Sequence, residues 1–233
     1  MSAHSHPLPT AIPRLGRDVV WFGVACVYAF AVPYLGISVL GLQHDVYYLV
    51  YFAAVIGLLG AYVHVEDVDL RAVLLPRWRW SAGLGLLMAA VLVFNVLKTE
   101  HGTPHPHGLY FAFEIAWRGV GYGLVDVLLL TIFPSIVAYR LVHGRVTGVV
   151  GKLRFTAAAV PLVVVLTATY HLGYPQYRQD GLARPETGNV LISVPAFATA
   201  NPVGSIVAHV SQHVAAVTHA YESKIFNPPK TTS

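Results

Sequence analysis

Six apolar stretches occupy most of the chain between residues 19 and 220, and a polypeptide built that way has few folds open to it. A helix rises about 1.5 Å per residue, so about 20 apolar residues cross a hydrocarbon core about 30 Å thick. Residues 19–42 form the first such span, bent at Pro33, and residues 46–65 the second. The charged run 66–79 is too polar to follow into lipid and makes the first substantial loop. Residues 81–97 are the third span, and a hydrophilic, His-rich turn separates it from the stretch 109–142. That stretch is longer than one straight crossing needs, and Gly119, Gly121 and Gly123 predict a short helix that breaks and then continues as the crossing. Residues 147–170 follow, with Pro161 inside. The last stretch, 190–217, is interrupted at Asn201-Pro202. Its first half is expected to be re-entrant or surface-lying, with 203–220 as the crossing. The expectation is an all-α, polytopic transmembrane helix bundle of about six crossings and seven to eight helical segments. It forms a single domain, 19–220, between polar tails at 1–18 and 221–233.

Composition supports the same class. Hydrophobic residues make up 55% of the chain and charged residues only 11%, against about 25% charged in an ordinary soluble domain. A soluble domain of this length has too much surface to cover with so few charges. The N-terminal tail lacks the apolar core and cleavage site of a signal peptide. Cys26 is the single cysteine, so an intrachain disulfide framework and a Cys-based zinc site are both excluded. The net charge of +4 comes without a basic run interleaved with aromatics, which argues against a nucleic-acid partner. Lys and Arg are better read as topology signals. With the N-terminus inside, eleven of the 15 fall on inner segments and three (Lys98, Arg178, Arg184) on outer ones. This predicts an integral protein of the cell membrane with both termini cytoplasmic and lipid as its surroundings.

Ionisable side chains within apolar sequence are costly and point to function unless pairing explains them. Glu114 and Arg118 are four residues apart, one helical turn on one face, close enough for an ion pair. His171 ends the fifth span. His209 and His213 lie at i and i+4 in the last, where two imidazoles on one face suit metal or haem chemistry or hydrogen-bond donation into a polar cavity. Asp126 has no spaced partner and reads as a packing group. His4, His6, His101, His105 and His107 lie in polar, Pro-containing segments and read as solvated or as adventitious metal binders rather than catalytic groups. Glu114 and His171 fall near the outer ends of their spans and His209 about two turns into its own, so three helices can converge on one polar pocket.

The order Glu-x-x-x-Arg-Gly, a lone His ending the next span, then His-x-x-x-His resembles the CAAX protease and bacteriocin-processing family of intramembrane glutamate proteases. Residues 109–218 carry the resemblance. Glu114, Arg118 and Gly119 match the second Glu, the Arg and the following Gly of the first motif; His171 matches the second motif, and His209 with His213 the third. Phe113 stands at the first Glu, Thr167 at the Phe of the second motif, and His213 at the Asn or Asp of the third.

The resemblance implies hydrolysis of peptide bonds in membrane-associated peptide or protein substrates. Glu114 and His171 would activate water, Arg118 would pair with Glu114, and His209 and His213 would stabilise the oxyanion. That scheme requires no cofactor. Two other readings stay open. Glu114, His171, His209 and His213 could form a metal shell for zinc, or the histidines could ligate haem. Phe113 instead favours a catalytically inactive relative that serves as a membrane binding partner.

Overall fold

The structure is a computed structural model that describes residues 14–222. The expectations for the two tails fall largely outside that range. Every regular element in it is helical. Helix α1, Arg14–Pro33, runs on into a π-helical end, Tyr34–Val39. It is followed by α2 (His44–Val65), α3 (Leu70–Leu74) and α4 (Trp78–Thr99). Next come α5 (Gly108–Leu141), α6 (Gly148–Leu172), α7 (Pro175–Asp180), α8 (Ala183–Thr199) and α9 (Val203–His219). The all-α bundle expected from the apolar stretches is what forms. Five of its helices, α1, α2, α4, α5 and α6, are long and apolar enough to span a bilayer, the build of an integral membrane protein. Large apolar side chains such as Val27, Leu49, Leu86, Phe94 and Val149 point outward. In water that outer surface would be unfavourable, and in lipid it costs nothing.

Helix α5 does not break. Its 34 residues form one helical run, interrupted by π-helical turns at Ile115–Tyr122 and Leu128–Ile132. It is central to the bundle: 78% of its most apolar window is buried, against 22–33% for the other four. Length beyond one crossing is accommodated because this helix is surrounded by protein over most of its course.

The ends of the bundle are tied differently. At one end the Arg140 guanidinium donates to Asp18 at 2.7 Å, and Arg17 and Trp21 donate to Glu66 at 3.0 and 2.8 Å. These contacts join the start of α1, the end of α2 and the end of α5. Asn201 lies at this same end, where its amide donates to the carbonyls of Leu74 and Pro76 at 2.8 and 2.7 Å. Its own carbonyl accepts from the Ser81 hydroxyl at 2.6 Å. At the other end Arg184 pairs with Glu100, and the Thr103 N–H donates to the His219 carbonyl at 3.1 Å.

Helix α8 therefore runs the depth of the bundle, from the Arg184 end to the Asn201 end, and α9 runs back. The re-entrant or surface-lying segment expected before Asn201 is instead a full antiparallel partner, and the described chain begins and stops at opposite ends. The two termini, on which the expectation of a shared side rests, lie outside the described residues. Helices α4 and α9 meet backbone to backbone: a Cβ at Gly85 would lie 2.3 Å from the Gly204 carbonyl oxygen, and one at Gly204 only 1.9 Å from that of Ser81. Ser81, Gly85 and Ala89 form the small-residue stripe that permits this approach.

Candidate functional site

Close packing of α5 on α9 creates the site. A Cβ at Gly119 would stand 3.1 Å from the Val214 side chain, and one at Gly123 would stand 3.2 Å from the His213 Cβ. These glycines let the histidine-bearing face of α9 lie against α5. The two π-helical turns flank the short α-helical stretch Gly123–Val127, and such turns recur at functional sites because they re-aim side chains. The side chain aimed at α9 is Asp126.

Asp126 is 5% exposed and has no Lys or Arg partner among the described residues. The Tyr51 hydroxyl donates to its Oδ1 at 2.8 Å, and the His209 Nε2 lies 3.3 Å from its Oδ2. The Nε2 atoms of His209 and His213 face each other at 3.0 Å. Both rings are buried. Two imidazole nitrogens that close either share a proton, one donating and one accepting, or share an ion. One ligand atom from each of Asp126, His209 and His213 lies within 4.8 Å of the others, a spacing that could hold one metal ion. It leaves no room for a haem plane between the two imidazoles.

A cavity of about 270 Å³ reaches these groups. Asp126, His209, His213 and Asn189 line its interior together with His171, and Tyr177, Asp180, Gly181 and Arg184 line the part formed by α7 and the start of α8. His171 is held by α6. Its Nδ1–H donates to the Thr167 carbonyl at 2.8 Å, the backbone oxygen having no proton to give, which leaves Nε2 with its lone pair. The Thr167 hydroxyl in turn accepts from the Asn189 amide at 2.6 Å, and Thr131 and Ser193 pair at 2.9 Å beside it. The polar side chains of α8 are thus consumed inside the bundle.

Behind the cluster the tyrosines of α2, α5, α6 and the link between α6 and α7 stack into a buried wall. Tyr47 bonds to Tyr174, Tyr174 donates to Tyr170 at 2.8 Å, and Tyr170 bonds to Tyr122 at 2.8 Å. Burial pushes the Tyr174 phenol well above the usual tyrosine range, so it serves this chain as a neutral donor. The edge of the Tyr122 ring meets His213, with centroids 5.1 Å apart.

Of the residues singled out from sequence, His171, His209 and His213 line one cavity. Glu114 does not join them. It precedes Asp126 by twelve residues on one helix, about 18 Å at the α-helical rise, and it is bound to Arg118 at 3.2 Å. Arg118 also donates to the Tyr221 carbonyl at 3.2 Å and lies over the Tyr221 ring, 4.6 Å from its centroid. That pair fastens the end of α9 to α5. The carboxylate at the histidines is Asp126, which sequence reasoning set aside as a packing group. A usable signal was present: Asp126 is the one other carboxylate within the apolar stretch 109–142. Among the loop histidines, His105 stacks on Phe111 at 4.1 Å; His4 and His6 lie outside the described residues.

Compared with known proteins, the chain matches no family model, no curated protein and no solved structure.

Proposed function

We propose that this chain is a membrane-embedded hydrolase acting on peptide bonds of membrane-associated peptides or proteins, a divergent relative of the intramembrane proteases its motifs resemble, with Asp126 in place of Glu114 as the working carboxylate. The observation that carries the reading is one cavity lined by Asp126, His171, His209 and His213. The Arg-rich end of the bundle, with Arg17, Arg71, Arg77, Arg79 and Arg140, is the cytoplasmic one by the distribution of basic residues. The α7 end, where the cavity approaches the surface, then faces away from the cytoplasm.

The chemistry follows from which nitrogen carries which proton. His171 presents an unprotonated Nε2 and takes a proton from water. The resulting hydroxide attacks the peptide carbonyl carbon, and the carbonyl oxygen becomes an oxyanion. His209, oriented by Asp126, and His213 line the same cavity, and the proton carried between their facing Nε2 atoms is the donor toward that charge. Collapse of the tetrahedral intermediate breaks the C–N bond, and the proton on His171 passes to the leaving amine.

Oxygen incorporation tests this reading. Purified protein in lipid nanodiscs is incubated in ¹⁸O-water with a panel of membrane-anchored peptides, and fragments are analysed by mass spectrometry. New carboxyl termini carrying ¹⁸O are expected, falling by about 10²–10⁴-fold in His171→Phe and in Asp126→Asn. Fragments formed equally well by both variants, or no fragment from any peptide, would return the chain to a non-catalytic binding role.

A further inference from the structure

The geometry points to a divalent transition-metal site formed by Asp126, His209 and His213, with the cavity on its open side; it rests on the proposed hydrolytic reading only for its use, not for its existence. A zinc-type ion binds imidazole nitrogen and carboxylate oxygen at about 2.0–2.2 Å in tetrahedral geometry. Ligand atoms on such a tetrahedron are then about 3.3–3.5 Å apart. Two of the three separations are close to this, 3.0 Å between the two imidazole Nε2 atoms and 3.3 Å between His209 Nε2 and Asp126 Oδ2, and all three ligand atoms lie within 4.8 Å of one another. A metal-free account of this contact is strained in its hydrogen bonding. His209 Nε2 faces two acceptors at once, the carboxylate and the His213 nitrogen, and can give its single proton to only one. With an ion, both Nε2 atoms offer lone pairs and each ring keeps its one proton on Nδ1, which on His209 has no hydrogen-bond partner among the described residues.

The donor chemistry selects the kind of ion. Two imidazoles and one carboxylate suit zinc or a neighbouring first-row metal, and calcium and magnesium, which take mostly oxygen, fit poorly. The charge works in the same direction, since Asp126 is buried without a Lys or Arg partner among the described residues. The second shell is also in place on the carboxylate: Tyr51, 1% exposed, donates to the Asp126 oxygen not facing His209. Such outer hydrogen bonds fix ligand orientation. Three protein ligands with a cavity beside them match a catalytic rather than a structural zinc site, which keeps its fourth position for water. His171, lining the same cavity with a free lone pair on Nε2, is placed to take a proton from a water in that position.

The test uses the full chain carrying an affinity tag without histidines, purified in detergent, stripped with chelator and titrated with Zn²⁺ and Co²⁺. One tight equivalent of metal is expected, with the visible absorption bands of four-coordinate cobalt that zinc then displaces. Asp126→Asn and His213→Ala should lose that equivalent. Tyr51→Phe should retain it with affinity lowered about 10–100-fold. Joint replacement of His101, His105 and His107 by Ala should change nothing.

Absence of tight binding by the parent chain would overturn the site even if the ligand variants fail to fold. So would an equivalent that survives Asp126→Asn, or one removed by the loop-histidine variant. The same samples in the ¹⁸O assay separate the two readings. Cleavage without metal removes this inference and keeps the hydrolase, whereas metal without cleavage keeps the site and removes the hydrolase.

Discussion

Two buried carboxylates on α5 sit in opposite circumstances. Glu114 is 2% exposed and faces Arg118 one turn away on its own helix, with the guanidinium held further by the Tyr221 carbonyl. Asp126 is equally shut off from solvent, yet its partners are a tyrosine on α2 and a histidine on α9, and it borders a cavity. The first charge is neutralised locally and left with nothing further to do. The second is held by Tyr51 and His209, from distant parts of the chain, and borders open volume. A buried charge closed off by an Arg on its own helix argues for architecture; one held by hydrogen bonds without a Lys or Arg partner and adjacent to open volume argues for chemistry.

The largest effect on stability should come from breaking the architectural pair. Arg118→Ala strands the Glu114 carboxylate, releases the Tyr221 carbonyl and unfastens the end of α9. Removing one partner of a buried pair costs about 3–5 kcal/mol, and thermal unfolding in detergent should show a correspondingly large drop in midpoint. A midpoint close to that of the parent chain would mean that Glu114 is not held by Arg118. Replacing both partners should cost less. Glu114→Gln combined with Arg118→Met leaves no unpaired charge, so the loss comes from neutral contacts such as the bond to Tyr221 and its ring contact, about 1–2 kcal/mol. Hydrolysis should survive in the double variant. Its disappearance in a stably folded double variant would restore Glu114 to the catalytic role that the motif resemblance implies.

The same contrast explains what the sequence made legible. Glu114 with Arg118, and His209 with His213, are spaced at i and i+4, so helix geometry alone brings each pair together, and both contacts are present. Asp126 has no such neighbour: its partner Tyr51 is 75 residues away in sequence, and nothing in local pattern links them. Helix α8 was obscured for a related reason. The interruption at Asn201-Pro202 suggests a segment that does not cross, but the polar side chains of Asn189, Ser193 and Thr199 are satisfied by Thr167, Thr131 and the Pro195 carbonyl within the bundle. Misreading α8 reverses the direction of α9, yet the depth expected for His209 survives because a residue near the middle of a helix lies at mid-depth whichever way the helix runs. The break of α5 anticipated from its glycines fails because Gly119 and Gly123 face Val214 and His213 across an interface. There a missing side chain is a packing device rather than a helix end.

The smallest stability effect, and the sharpest test of the contrast, should come from Asp126→Asn. If Asp126 were an architectural group like Glu114, its replacement would cost several kcal/mol. The geometry argues otherwise. The asparagine carbonyl can still accept from the Tyr51 hydroxyl, and the new amide can donate to His209 Nε2 once that ring carries its proton on Nδ1. What is lost is a negative charge buried without a Lys or Arg partner among the described residues, and relieving that burial offsets part of the weaker hydrogen bonding. The unfolding free energy of metal-free protein should therefore change by no more than about 1 kcal/mol, in either direction, while cleavage and metal binding are both lost. Measured on one preparation, unchanged unfolding with lost activity marks a site maintained for chemistry. A drop as large as that of Arg118→Ala would instead place Asp126 beside Glu114 as part of the scaffold, and the search for the working carboxylate would have to leave α5 altogether.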